Sequence, residues 1–214
     1  MPWFALLLTL AGGYVTLKLY GINKSRGKLK FLGLTIASSI FVIIQLSVFI
    51  AGATGGSAFS VVSDFIVEWG HIACLAFILS SLVVFIRESK PVFAQFPMAY
   101  TALPVLILIS YFLVKDTYAL KDWLLSIYQG GAILVALLMY SVYTYRKNEY
   151  VMILSGVFVL LLSYIFYWHI PAISESEPWV WKLLMVIGLL TTILGYQKVE
   201  KATGLEVALQ KEPN

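Results

Sequence analysis

Apolar residues run along this chain in long blocks, separated by short polar stretches. Seven blocks stand out, roughly 2–20, 31–52, 60–86, 92–114, 119–144, 150–169 and 179–197. A helix rises about 1.5 Å per residue and bilayer hydrocarbon is about 30 Å thick, so about 20 apolar residues make one crossing. Backbone polar groups in lipid need partners inside the segment or in a closed barrel. A barrel would show short alternating segments, and these blocks do not alternate. The pattern predicts an all-α, polytopic membrane protein, a bundle of seven transmembrane helices. The connections are short, so sequential helices should be antiparallel neighbours.

Composition narrows the class further. The 214 residues are 60% hydrophobic and only 12% charged. Soluble domains carry about 25% charged residues. A soluble globular domain, a disordered chain and a disulfide scaffold are therefore excluded. The single cysteine, Cys74, falls mid-helix and is read as a small packing residue.

Basic residues set the expected orientation, because Lys and Arg are retained on the cytoplasmic side. The first loop holds Lys24, Arg26, Lys28 and Lys30. The third holds Arg87 and Lys90, the fifth Arg146 and Lys147, and the tail Lys198, Lys201 and Lys211. Lys115, Lys121 and Lys182 fall on the other side. The reading is N-out/C-in. No basic residue precedes the first block and four follow it, the charge order of an uncleaved anchor. The net charge of +4 comes from these loops and calls for no nucleic acid, only for an anionic lipid surface. One domain is expected over 1–197, with a short cytoplasmic tail over 198–214 that is a mixed-charge helix end. Compactness and short loops point to a bacterial inner membrane.

Two features bear on internal organisation. Leu10-Ala11-Gly12-Gly13 and Tyr128-Gln129-Gly130-Gly131 are loosely alike, each followed by an apolar helix and a basic loop, as a 3+1+3 repeat would show. Glycine pairs also serve close packing alone. Pro91 reads as a first-turn proline of the fourth helix, while Pro97 and Pro104 are expected to kink it.

Ionisable groups inside a membrane helix are costly and usually face the bundle interior or water. Asp64, Glu68 and His71 lie at i, i+4 and i+7, on one face of the third helix. From an outer end near Ser60 they descend about 6, 12 and 16 Å. Gln45, Asp122, Gln129, Ser163, Tyr164, Tyr167, His169 and Lys182 also cluster in outer halves, whereas the inner halves are nearly pure Leu, Val, Ile and Phe. Trp3, Trp123, Trp168, Trp179 and Trp181 suit an outer aromatic belt. These positions predict an outward-facing polar pocket closed at its base. Its ligand-binding candidates are Asp64, Glu68, His71, Gln129, His169 and Lys182. Lys182 would pair with an anion or snorkel to the headgroups, and Glu68 and His71 would form its core or simply bond each other.

Several chemistries suit these residues. Glu68 and His71 form a Glu-x-x-His pair, the spacing of helical metal sites, so a divalent metal is one candidate. Haem is disfavoured because His71 and His169 lie at different depths. Retinal is disfavoured because Lys182 is too near the outer end of its helix. The function expected is binding of a small ligand or ion for sensing or transport. The alternatives are a membrane-embedded, metal-assisted lipid hydrolase and a structural subunit with a membrane protein partner.

One family resemblance bears on the hydrolase alternative. In that family an apolar helix and a short basic loop precede Gly-Ala-x-x-Phe-x-x-Ser-Asp, and here Gly156 and Ser163 keep the spacing while Tyr164 stands at the aspartate position. Gly70-His71-Ile72 matches an Ala-His-Ile element. Over about 128–195 the chain thus resembles the lysoplasmalogenase-like (YhhN) membrane hydrolases. The resemblance implies a multi-helix membrane fold and lipid hydrolysis, but the aspartates of the family's motifs have no counterpart here.

Overall fold

The computed structural model describes residues 2–26, 29–54, 57–89, 97–114, 118–170 and 176–209. All the long elements are helices: α1 Pro2–Arg26, α2 Leu29–Thr54, α3 Ser57–Ser89, α4 Pro97–Leu113, α5 Tyr118–Arg146, α6 Val151–Trp168 and α7 Pro178–Leu209. A 3₁₀ turn, Asn148–Tyr150, leads into α6. Six of these helices are long and apolar enough to cross a membrane: α1, α2, α3, α5, α6 and α7. The chain is thus an all-α, multi-spanning membrane bundle.

Most helices overrun the apolar blocks that predict them. Block ends mark where lipid ends, whereas helical hydrogen bonding continues into water until a breaker intervenes. So α1 runs on to Arg26 and α7 to Leu209, carrying much of the expected tail as helix. The described part of α4 is shorter, at 17 residues, or about 26 Å of rise. Pro97 is the first described residue of this helix, and the residues before it lie outside the described ones. Pro91 lies outside the described residues.

Packing arranges six helices in a closed ring. Around it, α1 packs on α2, α2 on α3, α3 on α5, α5 on α6, α6 on α7, and α7 back on α1. α4 packs on α3, outside that ring. The order within α1–α2–α3 recurs in α5–α6–α7. Gly12 faces Phe41 and Val42 of α2 much as Gly130 faces Tyr164 of α6.

At the α6–α7 seam, glycines of both helices bring backbone against backbone. A Cβ on Gly156 would lie 2.6 Å from the Thr192 backbone nitrogen, and one on Gly195 would lie 2.7 Å from that of Ile153. Small residues let backbones approach, and dispersion then holds membrane helices together where hydrophobic burial cannot.

By alternation of direction, one end of the bundle collects Lys24, Arg146, Lys198 and Lys201, and the other collects Trp3, Trp123, Trp168 and Trp179. They are called here the basic and aromatic ends. The main core lies toward the basic end and takes residues from all six ring helices, among them Ile22, Phe31, Phe85, Tyr140, Ile153 and Ile193. It is more polar than the expected Leu, Val, Ile and Phe filling. Tyr140, Tyr143, Tyr150 and Tyr196 meet there with Phe31 and Phe85, ring on ring. The buried Tyr140 hydroxyl bonds the Tyr196 hydroxyl. A tyrosine reads as apolar filler until its hydroxyl finds a partner, and here that partner is on another helix.

Candidate functional site

Glu68 lies in the aromatic-end half of α3, and its side chain reaches toward α4 and α5. Its Oε1 accepts hydrogen bonds from Lys121 Nζ at 2.7 Å and from the Tyr111 hydroxyl at 2.9 Å. The three groups come from three helices. Lys121 is in the first turn of α5, and Tyr111 is near the end of α4. The Lys121 ammonium also stands 5.4 Å from the centre of the Tyr111 ring, within cation–π range. Tyr111 is 2% exposed and meets Trp69 edge to face. It sits in an apolar cluster with Ile72, Ala76 and Ile107.

Both bonds to Glu68 land on one oxygen. Among the described residues Oε2 has no hydrogen-bond partner, and the Glu68 side chain is 38% exposed while that of Lys121 is 23% exposed. The carboxylate is therefore fixed by the protein on one side and open on the other. It has acceptor capacity left for a donor or a cation. Just below, Ser110 and Tyr128 share a 2.6 Å hydroxyl pair between α4 and α5.

The other expected residues are distributed around this site rather than gathered in it. Asp64, one turn nearer the aromatic end, is exposed. His71 is half-buried and has no hydrogen-bond partner among the described residues, so Glu68 takes its partners from α4 and α5 and not from the histidine on its own helix. Gln129 accepts a 2.8 Å bond from Trp168 Nε1, tying α5 to α6. His169 is exposed at the end of α6, its ring edge-on to Tyr164. Lys182 lies over the Trp181 ring. No group of three or more His, Cys, Asp or Glu side chains is placed to share a metal ion among the described residues.

Two residues of the site escape a one-helix reading. Lys121 sits beside Asp122 and looks like a headgroup lysine, and Tyr111 lies inside an apolar run. The usable signal was charge balance, since a carboxylate as deep as Glu68 calls for a cation on another helix.

Two of the residues that carry the hydrolase resemblance lie in the α6–α7 contact. Gly156 forms the α6–α7 seam, and the buried Ser163 hydroxyl donates to the Trp181 carbonyl at 2.8 Å. Comparison with protein-family models, with curated proteins and with solved structures finds no match for this chain.

Proposed function

We propose that this protein binds a small solute or ion at Glu68, between α3, α4 and α5, as a receptor or carrier in the membrane. One observation carries the reading. Glu68 is held by Lys121 and Tyr111 through Oε1 while the rest of its half-exposed carboxylate is open. A carboxylate that served only to join helices would gain by spending both oxygens on them. We further propose that α4 is a seventh span, that the aromatic end faces outward, and that the membrane is a bacterial inner membrane. The basic loops and the tryptophans of the opposite end support that orientation. The aromatic core at the basic end supports a site closed from the cytoplasm, and the like packing order of the two helix triplets supports transport over sensing.

A thermal-shift screen of the detergent-purified protein tests this. The probes are sodium, ammonium, short alkylamines and zwitterionic amino acids. A ligand at 100 times its Kd stabilises the folded state by about 2.7 kcal/mol, which is several degrees. At least one probe should produce such a shift in the wild type and none in Glu68→Gln. A shift that survives in Glu68→Gln moves the site elsewhere, and no shift with any probe removes the support for solute binding. The hydrolase reading needs no ligand retention, only lipid turnover abolished in His71→Ala, and so is distinguished by assay.

A further inference from the structure

A concave site lies at the basic end of the bundle, far along the chain from Glu68. A cleft of about 290 Å³ opens between α6 and α7, lined by Met152, Leu194, Gln197, Lys198 and Lys201. The four α7 residues fall at i, i+3, i+4 and i+7, so they form one stripe on one face of that helix. Met152, in the first turn of α6, closes the other wall. The stripe changes character along its length. Leu194 lies within the span, whereas Lys198 and Lys201 lie at its end and are exposed.

We infer that this cleft seats an anionic phospholipid. Its phosphodiester is held by Lys198, Lys201 and the Gln197 amide, and the first part of an acyl chain lies along Leu194 and Met152. The match is one of charge and of position. The apolar part of the stripe continues into exposed apolar surface at Leu194 and Val151, which only lipid tails would cover. The ammonium groups follow within one or two turns, at the level where a span gives way to headgroups. The other charges nearby are mixed. Arg146 and Lys147 precede the 3₁₀ turn, Glu149 lies in it, and Glu200 sits on α7 about 60° around the axis from Gln197, about 100° from Lys201 and about 160° from Lys198, counted at about 100° per residue. Lys198 and Lys201 are the charged side chains that line the cleft itself. A zwitterionic headgroup brings its own cation and gains less there. Free inorganic phosphate would gain the charge contact but leave the Leu194–Met152 wall uncovered.

Native mass spectrometry of the full chain, released from detergent with dioleoylphosphatidylglycerol or dioleoylphosphatidylcholine, tests the inference. The wild type should retain the glycerol lipid in preference to the choline lipid. Lys198→Ala with Lys201→Ala should weaken retention by about fivefold per lysine. Lys198→Arg with Lys201→Arg should keep it, and so should Lys24→Ala, which removes a basic-end charge outside the cleft. Equal retention of both lipids, or unchanged retention in the double alanine variant, would overturn the assignment. Displacement of the glycerol lipid by millimolar inorganic phosphate would overturn it too, as a site for the free anion. Both lysines are exposed, and an unchanged thermal midpoint in the double variant separates lost lipid from lost fold.

Discussion

Lys121 Nζ lies 2.7 Å from Glu68 Oε1, so an ion pair links the first turn of α5 to the N-terminal half of α3. Removing either partner takes away the charge that the other faces in this pair. Glu68 is more than a third exposed, so the pair's worth is discounted for screening to about 1 kcal/mol. A double-mutant cycle of Glu68→Gln and Lys121→Met, read by chemical unfolding in detergent, should return a coupling of that size. A coupling near zero would mean that the two groups do not hold each other in solution.

The tyrosine pair at the basic end predicts a non-additive result. Tyr140→Phe leaves the Tyr196 hydroxyl without its partner, and the reverse holds for Tyr196→Phe. Each should cost about 1–3 kcal/mol, and the double variant should cost clearly less than the two combined. Additive losses would show that the hydroxyls do not bond.

Glycines at the α6–α7 seam and those with open surroundings should respond in opposite directions. Gly156→Ala and Gly195→Ala drive a methyl group against backbone, and a loss of about 1–3 kcal/mol is expected. Nothing lies within 4 Å of a Cβ at Gly13 or Gly131, so alanine there should be neutral or stabilise by up to about 1 kcal/mol. Thermal midpoints of the four variants in one detergent decide it, and a tolerated Gly156→Ala would refute the close approach.

Cys74 is buried, and its thiol donates to the Ala37 carbonyl of α2 at 3.3 Å. A maleimide should therefore label it slowly in the folded protein and rapidly after unfolding. Labelling of the folded protein at the rate of a free thiol would contradict the α2–α3 packing.

The helices were readable because lipid imposes one rule, a long apolar block, which needs no knowledge of partners. The site was only half readable. The depth of Glu68 marks it as costly, and its spacing from Asp64 and His71 gives its face. Which helix meets that face depends on ring order, and no local pattern encodes that. Lys121 therefore read as a headgroup residue and Tyr111 as filler.

The closure of the ring has a bearing on how the protein is made. Leu8 and Ala11 of α1 are buried against Val186 of α7, so α1 is covered in part by a helix synthesised well after it. Until α7 is made, that face of α1 has Phe41 of α2 and, beyond it, lipid or the insertion machinery to cover it. Nascent chains halted before α7 should consequently be held by the insertase and degraded readily, and release should coincide with the arrival of α7.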